Sequence, residues 1–201
     1  MSQQTIVIVN TGCANISSVK FALERLGVSV TVSDDAAVIA AADKVFLPGV
    51  GAAGAAMTSI AAKQLIEPLR HLKQPVLGVC LGMQLMVERS DESRTGTIDC
   101  LNLLPGHVKR MQAGELRLPH MGWNTVTPAH ESPLFAGIDA GTYFYFVHSF
   151  AVPVYANTLA SCEYGQSFSA AIQHNNFFGV QFHPERSGEA GAQLLTNFVN
   201  M

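Results

Sequence analysis

Short apolar runs recur through the first half of the chain, each followed by a stretch with helical spacing. "TIVIV" (5–9) is β-branched and strand-like, and "NTGCAN" follows it as a loop. Asn15 then stands where a helix cap belongs, ahead of Val19, Ala22 and Leu26 on one face, with Gly27 closing the helix. "VSVTV" (28–32), "KVFLPG" (44–49) and "PVLGV" (75–79) read as further strands. Between them, the Ala-rich "DAAVIAAA" predicts a short helix and "GAAGAAMTSIAAKQLI" (51–66) a longer one. Strands alternating with helices imply parallel pairing and a sheet covered on both faces.

The second half changes rhythm. "TYFYFV" (142–147), "TLASC" (158–162), "FSAAIQH" (168–174) and "FFGVQF" (177–182) are strand-like runs separated by short polar or Gly-containing breaks. Such breaks fit hairpins, so antiparallel strands are expected there. A final helix over 188–199 packs back on the sheet. The predicted fold is therefore α/β: a three-layer open sheet, mainly parallel, with antiparallel strands in the second half. No internal repeat or linker interrupts it, and one domain over 1–201 is expected.

Composition narrows the function classes. With 201 residues, 48% of them hydrophobic, the chain can bury a core without metals or disulfides. Charged residues make up 13% and the net charge is −3, so the basic footprint of a nucleic-acid binder is missing. The N-terminus "MSQQTIVIVN" lacks the layout of a signal peptide, and no apolar stretch reaches the ~18 residues of a membrane span. Four cysteines lie far apart without a C-x-x-C pair, which argues against a zinc site or a disulfide framework. A reduced, cytoplasmic protein with no metal or cofactor is expected, meeting a small molecule or another protein rather than nucleic acid or membrane.

One cysteine stands apart. Gly78-Val79-Cys80-Leu81-Gly82 places it between glycines, where a strand gives way to a helix. That is the form of a nucleophile elbow, a strained turn that holds a reactive side chain at the end of a sheet. Backbone N–H groups at the helix start can face a developing oxyanion, and the helix dipole favours a thiolate. A buried cysteine filling space beside a turn is the plainer alternative. "GVQFHPERSG" (179–188) supplies a second group: in an extended chain His183 and Glu185 point to the same face. A carboxylate accepting from Nδ1–H leaves Nε2 free as a base. An H-x-E alone is common, and His148 in "YFVHSF" has the most local context of the other histidines. "FLPGVGAAG" (46–54) ends a strand in a Gly-rich turn able to present N–H groups, or is a plain connection; it lacks the P-loop pattern.

Together "LPGVG", "GVCLGMQ" and "FHPERSG" resemble the class I glutamine amidotransferases, and "PHMGWN" (119–124) with "YFVHSF" (145–150) narrows the likeness to the glutaminase subunits of imidazole glycerol phosphate synthases. The matching segments run from residue 5 to residue 189. The resemblance implies Cys80 as nucleophile, His183 as proton carrier and Glu185 as its orienter. It implies an oxyanion held by the N–H of Leu81 and of Val50, and glutamine's α-groups held by Gly51, Gln84 and the backbone near Ser149. It also implies a partner, a cyclase subunit built as a (β/α)8 barrel, which receives the ammonia and is met by Asn15, His120, Met121, Trp123 and Asn124. Departures are few. "NTGCAN" (10–15) stands where the family resembles D-Y-G-x-G-N, and Phe150 is followed by Ala151 rather than a second aromatic residue. An amidotransferase of another synthase, a cysteine peptidase of similar fold and a non-catalytic binding module are the competing readings. Trp123 is the only tryptophan, and by residue type alone a core position is the commoner one.

Overall fold

A computed structural model describes residues 4–201. The first half runs β1 (Ile6–Val9), α1 (Ile16–Arg25), β2 (Val30–Ser33), α2 (Ala36–Ala40), β3 (Lys44–Gly49), α3 (Ala53–Ala62), α4 (Ile66–Arg70), β4 (Val76–Cys80) and α5 (Leu81–Met86). Next come β5 (Arg89–Ser90), β6 (Ile98–Asp99), β7 (His107–Arg110), β8 (His120–Pro128), β9 (Thr142–His148) and β10 (Phe150–Ala151). The chain closes with β11 (Thr158–Glu163), β12 (Ser167–His174), β13 (Phe177–Val180) and α6 (Gly188–Asn200).

A nine-stranded sheet has the order β2-β1-β3-β4-β13-β12-β11-β8-β9. Pairing is parallel from β2 to β13 and antiparallel from β13 to β9. The sheet is α/β and mixed, and it divides evenly where the sequence pattern suggests a mainly parallel one. The change of sense occurs where the chain folds back between β12 and β13 through Asn175 and Asn176. Asn175 sits at φ 52°, the left-handed conformation a tight hairpin needs.

Other expectations shift for local reasons. The helix predicted over 51–66 splits into α3 and α4, because Gln64 adopts φ 56° between them. Asn15 occupies the position before α1 but makes no capping bond, and the helix ends at Arg25. Asp35 does cap α2, its Oδ1 accepting from the N–H groups of Ala37 at 2.7 Å and Val38 at 3.2 Å. β8 begins in "PHMGWN", where no strand period is visible. A second sheet, β10-β7-β5-β6, is built from strands too short to show any period.

Helices cover both faces of the large sheet. Val19 and Leu23 of α1 and Leu194 and Phe198 of α6 share one apolar cluster with Phe46. Ala53, Ile60, Leu69 and Leu85, from α3, α4 and α5, lie in the other.

The junction of β4 and α5 positions Cys80. Cys80 sits at φ 54°, ψ −112°, a strained conformation for a residue with a side chain. α5 begins so close to β3 that a Cβ on Gly82 would fall 1.7 Å from the Leu47 carbonyl oxygen. A Cβ on Gly78 would fall 2.8 Å from the Gly82 carbonyl carbon. Only hydrogen fits at either position. The turn holds Cys80 at the carboxyl end of the parallel strands, where open α/β sheets bind ligands.

Candidate active site

β13 pairs with β4 in parallel, Val180 opposite Val79, so the segment after β13 emerges beside Cys80. Its backbone is pinned: the His183 N–H donates to the Tyr145 carbonyl at 2.9 Å. Ser187 Oγ donates to the His183 carbonyl at 2.7 Å and accepts from the Tyr145 N–H at 3.0 Å. A single 3-10 turn, Pro184–Arg186, then brings Glu185 back towards the ring. The pair thus meets through a turn, where the sequence pattern suggests extended chain.

His183 Nδ1 donates to Glu185 Oε1 at 2.8 Å, with side chains 7% and 2% exposed. Nε2 makes no formed hydrogen bond, and neither does Glu185 Oε2. A void of about 10 Å³, bounded by Asn15, Gly49, Val50, His183 and Glu185, adjoins the pair and has room for one water. Burial works against a charged His183, but the Cys80 sulfur and the Glu185 carboxylate outweigh it and raise its pKa from 6.5 to about 10. The imidazolium is the favoured form at neutral pH.

Cys80 and His183 face a cavity of about 270 Å³, also lined by Asn15, Val50, Gly51, Leu81, Gln84, Glu92, Val147, His148 and Arg186. A larger cavity of about 790 Å³ lies around residues 128–140 and carries none of these groups, so the smaller one is the candidate site.

The predicted positions fare unequally. Leu81 opens α5 directly after Cys80, and its N–H is one of the first-turn donors without an intrahelical partner. α5 has only 6 residues, so the local N–H matters more than any macrodipole. Val50 requires a correction. The residue lines the cavity, but its N–H donates to the Cys13 carbonyl at 3.0 Å and is already committed there. Gly51 and Gln84 line the cavity. Ser149 does not: its carbonyl accepts from the Met111 N–H at 3.0 Å, and Val147 and His148 form that wall instead.

Two groups escape the motif reading. Glu92 lies in the polar loop "SDESRTG" and turns into the cavity, where burial raises its carboxyl pKa to about 7. Its loop is tied down by Asp91 Oδ1, which accepts from Thr97 Oγ1 at 2.7 Å and meets His107 Nε2 at 2.7 Å. Gln181 is fully buried beside Cys80. It sits two residues before His183 in a strand-like run, and that parity is the signal that marks it.

A chain of hydrogen bonds runs inward from β8. Asn124 Nδ2 donates to the Glu163 carbonyl at 2.9 Å and lies 3.2 Å from His120 Nε2. His120 Nδ1 lies 2.9 Å from His148 Nε2, and His148 Nδ1 donates to the Phe150 carbonyl at 2.9 Å. Carbonyls at both ends can only accept, so both rings are neutral with the proton on Nδ1. Burial depresses the pKa of His120 to about 4 and of His148 to about 3. Because these values lie below the ordinary 6.5, the stabilisation is complete above about pH 6.5 and is lost as the pH falls towards 3. Glu92 acts oppositely, since its raised pKa favours the fold at low pH and loses that effect as the pH rises through 7. Imidazole 15N spectra at pH 5 are expected to show both histidines as neutral Nδ1–H tautomers. A protonated signature at pH 6 would contradict the assignment.

The predicted partner surface also divides. Met121 is 62% and Trp123 55% exposed, on the outward side of β8, which removes Trp123 from the core. Trp123 packs edge-on against Tyr145, ring centroids 6.1 Å apart, and Tyr143 is 59% exposed on the same hairpin. His120 alternates inward, 2% exposed, and stacks on Tyr164 and Phe146, so it is not a surface contact. Asn124 spends its amide on His120 and the Glu163 carbonyl, and Asn15 lines the cavity. Among the described residues no His/Cys/Asp/Glu group is arranged to hold a metal, and no helix is long and apolar enough to cross a membrane.

The family model for glutamine amidotransferase class-I matches residues 7–201. The chain belongs to that family. This amidotransferase is 54% identical over 204 residues to imidazole glycerol phosphate synthase subunit HisH 1 of Vibrio vulnificus strain YJ016, covering 100% of both chains. It is 55% identical to subunit HisH of Salmonella typhimurium, covering 98% of this chain and 99% of the relative. Among solved structures, a glutamine amidotransferase from Thermotoga maritima superposes with TM-score 0.67 at 16% identity, covering 100% of this amidotransferase and 84% of that chain. PurLQS from the same organism superposes with TM-score 0.72 at 19% identity, covering 98% of each. At such identities the structures speak for the shared fold alone.

Proposed function

We propose that this chain is the glutaminase subunit of an imidazole glycerol phosphate synthase, hydrolysing glutamine to glutamate and passing the ammonia to a cyclase subunit. The reaction class is carried by one observation: Cys80 and His183 meet in a small cavity, with Glu185 holding the far side of the ring. The choice of synthase is supported by full-length relatives at 54% and 55% identity.

The Cys80 thiolate, its proton resting on His183, attacks the side-chain amide carbon of glutamine, and the carbonyl oxygen takes the charge beside the Leu81 N–H. The carbon–nitrogen bond breaks as His183 Nε2 gives its proton to the departing ammonia. Water, deprotonated by the now neutral imidazole, hydrolyses the γ-glutamyl thioester and frees glutamate. Gln84 and Glu92 border the cavity with Cys80, and the Glu92 carboxylate meets the ammonium of the substrate. Val50 supplies a second oxyanion donor only if its peptide leaves the Cys13 carbonyl. The cyclase, a (β/α)8 barrel, docks on the Met121–Trp123–Tyr143 face. That face runs to the cavity through Val147, which pairs with Met121 across the hairpin. Turnover takes place in the cytoplasm.

Ammonia and glutamate measured from glutamine, with and without a barrel cyclase and its nucleotide ligand, test the proposal. Release that rises with the partner is expected. No release in either state, or cleavage of peptide amides instead, would sink it. The surface assignment has its own test. Trp123→Ala is expected to weaken cyclase binding by about 2 kcal/mol or more while leaving the melting temperature of the free chain nearly unchanged. A large drop in melting temperature with intact partner affinity would overturn the assignment.

A further inference from the structure

We infer that Gln181 is a further catalytic residue, a buried side-chain amide that donates a hydrogen bond to the Cys80 sulfur and favours its attacking, deprotonated form. The inference rests on the reading of Cys80 as the nucleophile. Gln181 Nε2 lies 3.8 Å from Cys80 Sγ. The two ends of an amide have the same shape, so neighbours must settle which end faces the sulfur.

They do so from an obligate acceptor. The Phe150 carbonyl accepts from Gln84 Nε2 at 2.9 Å, and the opposite orientation of Gln84 would set oxygen against oxygen. The second hydrogen on Gln84 Nε2 goes to Gln181 Oε1 at 2.8 Å. With its oxygen so occupied, Gln181 turns its nitrogen to the sulfur. The second lone pair of the Phe150 carbonyl takes the His148 Nδ1–H, which fixes the arrangement from the other side.

The sulfur has another polar neighbour of opposite character. The Val147 carbonyl lies 4.0 Å from Sγ and can only accept, so it meets the proton of the thiol. Gln181 can only donate here, so it gains when the sulfur loses that proton. Hydrogen bonds to charged acceptors are roughly twice as strong as neutral ones. Gln181 is fully buried, and no water competes for the donor. The alternative is that Gln181 merely props Gln84 for substrate binding.

Two variants of the intact chain separate the roles. Gln181→Leu removes both ends of the amide, whereas the similarly shaped Gln181→Met leaves a weak acceptor for Gln84 but no donor. The readout is alkylation of Cys80 by iodoacetamide at fixed pH, without glutamine or partner. The sulfur–carbon bond forms, iodide leaves, and the Cys80 peptide is quantified by mass. Both variants are expected to slow about 10- to 100-fold. Glutamine turnover should lose kcat in parallel, with KM within about threefold. Wild-type alkylation in either variant, or a loss confined to KM, overturns the inference. Should both variants misfold, the wild type still decides. The Gln181 side-chain NH2 resonance must move when Cys80 is alkylated, and an unmoved resonance overturns the inference too. Wild type that alkylates normally at Cys80 but releases no ammonia would refute the glutaminase reading while leaving Gln181 in place.

Discussion

Cys80→Ser is expected to abolish glutamine hydrolysis, a loss on the order of 10⁴–10⁶-fold, with the melting temperature of the chain little changed. The exchange is nearly isosteric and keeps the strained φ of the elbow, but an alcohol is a far weaker nucleophile than a thiolate. A glutamine-analogue electrophile should label Cys80 and spare Cys13, Cys100 and Cys162. Burial supports that selectivity, since it raises the pKa of Cys100 and of Cys162 to about 12. His183→Ala removes the proposed proton carrier and should cost about 10²–10⁴-fold. Glu185→Gln leaves the ring in place but weakens both its orientation and its charge, so the smaller loss belongs to Glu185. Kinetics at saturating glutamine decide the order; equal or reversed losses would mean the roles are misassigned.

Gly82→Ala should break the elbow itself. The added methyl would sit 1.7 Å from the Leu47 oxygen, which is backbone of a central strand and has nowhere to go. Overpacking of ordinary sites costs about 1–3 kcal/mol, and a forced shift of α5 against β3 should exceed about 4 kcal/mol. For a chain of this size that is a fall of at least about 8–16 °C in melting temperature. Thermal unfolding followed by circular dichroism reads it, and an unchanged melting temperature would show that α5 shifts freely. Gly51→Ala is the useful contrast: it has open space around it and only its positive φ of 92° to resist the change.

The elbow was legible because its demands are local. Glycines flanking one cysteine between an apolar run and a helical pattern leave few other structures. The partnership of His183 with Glu185 was legible as well, though the 3-10 turn that joins them was not. β8 escaped because Gly122, at φ 127°, interrupts an alternation in which buried His120 stands opposite exposed Met121 and Trp123. A buried histidine reads as polar, so the inward face looked like loop. The small sheet escaped because strands such as Arg89–Ser90 hold a single alternation. Glu92 has no periodic neighbours at all and reaches the cavity through a loop shaped by Asp91, Thr97 and His107. The direction of the Val50 N–H is a matter of one peptide plane. Residue types scarcely influence it, and only the three-dimensional position of the Cys13 carbonyl explains it.

A line of imidazoles and amides carries protons only if each member can take one on one side and pass one on at the other. The Phe150 carbonyl cannot. It receives from His148 on one side and from Gln84 on the other, and it has no hydrogen to hand to either. The row of hydrogen bonds from Asn124 to the Phe150 carbonyl therefore offers no proton relay to the Cys80 pocket. In the proposed reaction, proton traffic at the thioester stays with His183.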